Sequence, residues 1–160
     1  DALGSIIGTV GSGKTHIMLD AHLDRIGLIV TAIDESGFLR VDKCGGSDTR
    51  VLCAAEVTVW GKEPIYGVIT STPPHLTKSE DASKAPSFDT IYFDTGLSYD
   101  KLQKIVTVGD RITIDAPVRS LAGSRITGAA LDDRIGMAAL LRVLDIIKEK
   151  RRRSNESNRA

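Results

Sequence analysis

Two short runs carry the residue types that hold metals. Ala21-His22-Leu23-Asp24 ends an apolar stretch. A histidine that ligates a metal usually donates its other ring N–H to a carboxylate, and in an extended segment residues two apart face the same side. His22 can therefore offer one nitrogen to a metal while Asp24 fixes its tautomer. Taken singly, a His-x-Asp pair is more often a structural hydrogen bond. Ala130-Leu131-Asp132-Asp133-Arg134-Ile135-Gly136 is the second run. Adjacent carboxylates at a helix start serve as an N-cap and complement the helix dipole. They can also present one carboxylate that bridges two metals. Spacing alone favours the cap and leaves the bridge open.

A third run has the pattern of a phosphate-binding loop. Gly8-Thr9-Val10-Gly11-Ser12-Gly13-Lys14-Thr15 fits it at every fixed position. Backbone N–H groups would cradle phosphates, Lys14 would reach the terminal ones, and Thr15 would hold magnesium. The context argues otherwise. Such a loop runs into a helix, whereas Ile17-Met18-Leu19 suits a strand. The simpler reading is a β-hairpin with strands at 5–10 and 15–19 and Gly11-Ser12-Gly13 at its tip.

The elements that must position these runs are mostly short strands. Segments 26–33, 38–42, 56–60, 65–70, 90–94 and 111–115 are rich in β-branched or alternating apolar residues and are separated by polar turns. Their regular spacing predicts a small barrel or sandwich. Residues 71–88 hold three of the five prolines and read as a long surface loop. Ser98 is placed to cap a short helix over 99–105. One strong helix is predicted over 132–150, with Met137, Leu140, Leu141, Leu144 and Ile147 on one stripe and Ile135, Ala139, Val143 and Ile146 on a second. A helix apolar on most sides wants partners on most sides. Arg151-Arg152-Arg153 reads as a solvated, frayed tail.

In this order the runs resemble the glutamyl aminopeptidase family. These are cytosolic metallopeptidases that include the tetrahedral aminopeptidases and proteins often labelled cellulase M or endoglucanase. The segment from Leu19 to Val30 resembles the family's first metal motif. Gly37-Phe38-Leu39-Arg40-Val41, Gly45-Gly46, Gly67-Val68-Ile69, Pro73-Pro74-His75-Leu76, Val108-Gly109-Asp110 and Ala130-Leu131-Asp132-Asp133-Arg134 follow in sequence, so the likeness runs to about residue 150. It implies an α/β catalytic domain interrupted by a small all-β, barrel-like dimerisation domain. Residues 1–24 and 120–160 would be the catalytic pieces and 25–119 the insert, β-rich overall with one long C-terminal helix. It implies two divalent ions, zinc or cobalt, with His22 and Asp132 as metal ligands, Asp132 bridging the two ions. Asp24 would be the catalytic carboxylate that orients His22, and Asp133 a neighbour of the site. Peptides would be the substrates, and the β domain would drive homo-oligomers. Arg25 stands where the family often has Glu, which leaves the ligands themselves unchanged.

The departure from the family is the missing adjacent Glu-Glu pair, which in the family supplies the general base and one ligand; this chain has none. Its remaining histidines are His16 and His75. The expectation is a fragment that does not cleave peptides alone, with a non-enzymatic β-barrel oligomerisation module as the alternative.

The bulk composition of the 160 residues restricts the other classes. The 21 basic and 21 acidic side chains cancel, so no global field attracts nucleic acid or a membrane. Two cysteines cannot build a disulfide framework or a four-thiolate zinc site, which fits a reducing, cytoplasmic setting. No signal peptide is visible, and a first residue other than Met suits a piece of a longer gene product. Aromatic residues at 4% leave few platforms for sugar stacking, so a glucanase reading gains no support.

Overall fold

A computed structural model of the chain describes residues 2–73, 76 and 84–157. Pro74, His75 and residues 77–83 of the proline-rich loop lie outside the described residues. Six strands form a closed antiparallel barrel: β1 (Gly27–Ile33), β2 (Leu39–Cys44), β3 (Glu56–Trp60), β4 (Pro64–Ser71), β5 (Ile91–Asp94) and β6 (Arg111–Ile114). The order around the barrel is β1-β2-β5-β4-β3-β6. Closure removes free sheet edges. It is the barrel alternative of the sequence reading.

Alternation sets the core. Leu28 and Val30, Leu39 and Val41, Val57 and Val59, Ile91 and Phe93 point inward in pairs two residues apart, joined by Ile69 and Ile112. The helix α1 (Tyr99–Ile105) adds Leu102 to the same cluster, and Val106, just past its end, joins it. Ser98 occupies the N-cap position, but its side chain makes no capping bond. Its backbone carbonyl accepts from Leu102 N instead, at 2.9 Å.

The strand register gives the barrel two distinct ends. At one, Asp34 Oδ1 accepts from Ser36 N and Phe38 N to turn β1 into β2. Gly37 takes φ +87° there, and a Cβ would run into the Leu97 carbonyl just before α1. At the other end lie Gly27, Cys44, Glu56 and Ile114. From that end the chain passes through a two-stranded ribbon, β7 (Arg119–Ser120) with β8 (Ile126–Thr127), into the long helix α2 (Leu131–Ser157).

Two expectations are corrected. The hairpin over 5–10 and 15–19 does not form, and residues 5–26 contain no helix or strand. A strand's backbone groups need a neighbouring strand, and none lies beside this stretch among the described residues. Ile6, Ile7, Ile17 and Met18 are correspondingly exposed. The second correction is the basic stretch after 150, which is helical to Ser157 instead of frayed. Arg152 and Glu156, four residues apart, pair at 3.2 Å there.

Candidate metal half-site

His22 lies five residues before β1, and Asp132 at the very start of α2. The fold brings them together: His22 Nε2 is 3.2 Å from Asp132 Oδ1. On the other side of the ring, Nδ1 lies 3.3 Å from Asp24 Oδ1 and 3.3 Å from the Asp24 backbone oxygen. Both of those oxygens are acceptors, so a hydrogen on Nδ1 is satisfied there. In that neutral tautomer Nε2 holds its lone pair toward Asp132.

The start of α2 separates its two carboxylates by task. Asp132 (φ −92°, ψ 106°) and Asp133 (φ −121°, ψ 35°) have non-helical backbones, and the peptide bond between them is cis. Ala130 before them has φ +62°. Asp133 Oδ1 accepts from Gly136 N at 3.0 Å, the bond of an N-cap side chain to the third helical residue. A Cβ at 136 would press on the Asp133 carboxylate, so the bare glycine lets that carboxylate sit close against the first turn. With Asp133 engaged as cap, Asp132 is left over, its side chain 97% exposed and turned to His22. The cap and the candidate ligand are thus different members of one pair.

The Asp24 backbone carbonyl, accepting from the ring, does most to hold the His22 pKa above its ordinary value. Burial opposes it, and the Asp24 and Asp132 charges add smaller upward effects. Both ring nitrogens face oxygens that can only accept. A proton or a metal cation between Nε2 and Asp132 answers the same need, and binding of the metal would displace the proton.

The donor set suits a divalent ion in kind, since an imidazole nitrogen and a carboxylate oxygen are ordinary zinc ligands. It is short in number. No group of three His, Cys, Asp or Glu side chains that could hold a metal occurs among the described residues. His16 lies in the irregular stretch before the site, and His75 lies outside the described residues. The glycine-rich run from Gly8 to Thr15 leads into no helix, so the strand–loop–helix frame of a phosphate loop is not formed there.

Two supporting residues were not singled out as such in the sequence. Arg134 Nε reaches the Leu23 carbonyl at 3.5 Å, and an Arg25 guanidinium nitrogen donates to the Ile114 carbonyl at 2.9 Å. Nothing local announces either bond.

A family model described as M42 glutamyl aminopeptidase matches residues 4–156. The chain is 35% identical to a lysyl aminopeptidase of Pyrococcus furiosus, over 88% of this chain and 42% of that protein. Among solved structures, a TET aminopeptidase from a marine sediment archaeon of the Thaumarchaeota superposes with a TM-score of 0.74 at 30% identity, covering 81% of this chain and 38% of the other. The TET1 peptidase of Pyrococcus horikoshii, which can assemble into a tetrahedron or a large octahedral shell, gives a TM-score of 0.67 at 36% identity, covering 78% and 38%. The chain spans 41% and 42% of the length of two further curated relatives from Escherichia coli.

Proposed function

Because the chain belongs to the M42 glutamyl aminopeptidase family, we propose that it is the part of a metal-dependent aminopeptidase that carries the β-barrel and one portion of the metal site. The observation that carries the reading is the approach of His22 Nε2 to Asp132 Oδ1 at 3.2 Å. His22 and Asp132 would hold divalent metal, zinc or cobalt, with Asp132 shared between two ions. Bound metal in such enzymes activates a water and polarises the scissile carbonyl.

This chain's own residues do the preparatory work. Asp24 holds the His22 ring with Nδ1 protonated, so that Nε2 is the free donor. Asp133 caps α2 and keeps Asp132 out of the helix. The substrates would be peptides cleaved at the N-terminal residue. Residues 25–119 would form the dimerisation domain and 1–24 with 120–160 the catalytic pieces, giving a homo-oligomer built through the barrel. No adjacent Glu-Glu pair is present to deprotonate water, so the 160 residues alone would not turn over peptides.

Thermal shift of the chain with zinc or cobalt, against magnesium–ATP, tests the reading, since a ligand of the native state raises the melting midpoint by mass action. The expected result is a rise with metal that His22→Ala and Asp132→Asn remove. A rise with nucleotide alone, or none with metal, would overturn it. Release of N-terminal residues from peptides by the pure chain, at rates ordinary for enzymes, would sink the claim of inactivity.

A further inference from the structure

We infer that Arg25 is a positioning residue that latches the His22 segment to the barrel and so sets the His22–Asp132 spacing. The inference rests on the metal-site reading above for its purpose, but not for its geometry.

His22 and Asp24 sit in a stretch with no regular secondary structure, so no hydrogen-bond ladder fixes them. Between residues 2 and 26 only Ala21 and Arg25 are even half-buried. The Arg25 guanidinium crosses to the opposite end of the barrel sequence and donates to the Ile114 carbonyl at 2.9 Å. Ile114 is the last residue of β6, a strand paired on both sides, with β1 and with β3. The latch therefore closes on a rigid part of the molecule.

Asp132 is referenced to the same place. Two residues beyond Ile114, the Ala116 carbonyl accepts from Ala129 N at 2.8 Å. Asp115 N between them donates to the Glu56 carbonyl of β3 at 2.8 Å. Ala129 leads directly through Ala130 and Leu131 to Asp132. Residues 114–116 are thus a common mount. The Asp132 arm hangs from it by a backbone bond, and the His22 arm by the side chain of Arg25. A backbone bond is available to any residue, so the side-chain half of the mount is the one that sequence can change.

The arginine is not there for its own comfort. Its Nε is buried with no hydrogen-bond partner among the described residues, an unfavourable placement for a donor. The head group nevertheless stays turned to Ile114. Arg134 gives only a longer 3.5 Å contact to Leu23 from an exposed side chain, so it does not replace the latch.

NMR of the full 160-residue chain tests this without metal. Ring-proton NOEs from His22 to the Asp132 side chain should be present in the wild type and lost in Arg25→Ala, while barrel NOEs between Leu28 and Ile112 persist. Arg25→Lys keeps one donor on a long stem, so it should restore the His22–Asp132 NOEs. In parallel, zinc affinity should fall about 10-fold in Arg25→Ala, the usual scale for a residue that supports a ligand, and recover in Arg25→Lys. Undiminished NOEs in Arg25→Ala would overturn the inference and leave the metal reading standing. Their absence from the wild type, or their loss in Arg25→Lys with the barrel intact, would overturn it too. Collapse of the barrel NOEs in Arg25→Ala would make the residue merely structural and overturn it as well. A wild type that shows the NOEs but binds no zinc would sink the metal reading alone.

Discussion

In the barrel, Leu39, Val57, Val59, Ile91 and Phe93 are 0% exposed. In α2, which is at least as apolar along two stripes, no residue is buried, and Leu141 is 62% exposed. The same contrast separates the barrel from residues 2–26, where Leu3, Ile6 and Ile17 stand out in the open. The two regions also differ in what holds them. A helix satisfies its backbone groups within itself and forms wherever its residues favour it. Strands must find neighbours, and the six in the barrel find them by closing on one another. A folded element and a packed element are therefore different things in this molecule, and the candidate site lies where the two regions meet.

The sharpest way to break that comparison is a paired truncation. Phe93→Ala should destabilise the barrel by about 3–5 kcal/mol, whereas Leu141→Ala should change stability by no more than about 0.5 kcal/mol. Denaturant unfolding followed at Trp60 reads both; equal losses would mean that α2 is packed after all. Gly37→Ala comes next. With φ +87° and the Leu97 carbonyl in the way, it should cost the barrel more than about 1 kcal/mol, visible in the same unfolding curves. Asp133→Ala should cost about 1 kcal/mol through loss of the cap. That loss should appear as reduced helical circular dichroism from α2, with the barrel transition unmoved.

The smallest effect is the pH dependence of the site. The folded chain holds the His22 proton more tightly than the unfolded chain does, since its pKa is raised above 6.5. The stabilising contribution is present below pH 6.5 and is lost as pH rises through the raised value. It is small, because the ring is exposed. Zinc competes with that proton, so its affinity should rise over the same window and flatten above it. Calorimetric titrations at several pH values would show this, and a pH-independent affinity would remove His22 from the ligand set.

Much of the barrel was legible because its signals are local. Period-two alternation in 38–42 and 56–60, and the Asp34-to-Gly37 turn, each specify a structure within a few residues. The stretch from Ser5 to Leu19 was misread by the same rule. Its residues favour strands, but β-propensity expresses a fit to a neighbouring surface more than a preference of the backbone. The helix from 132 was legible, but its extension through Arg151-Arg152-Arg153 was not, since like charges hid the Arg152–Glu156 pairing. The site was half legible. His22, Asp24 and the Asp132-Asp133 pair stood out by type and spacing, but nothing in spacing decides which of two adjacent carboxylates caps a helix.

The amino-acid order by itself determined the strands of the barrel, the two helices and the small set of residues able to hold a metal, because periodicity, turn chemistry and side-chain type are carried by neighbours in the chain. Only the tertiary structure decided that Asp133 caps and Asp132 faces His22, and that Arg25 reaches Ile114. The contacts of His22 with Asp132 and of Arg25 with Ile114 join residues about a hundred positions apart. Such contacts depend on where the closed barrel delivers its ends, and no local signal encodes that.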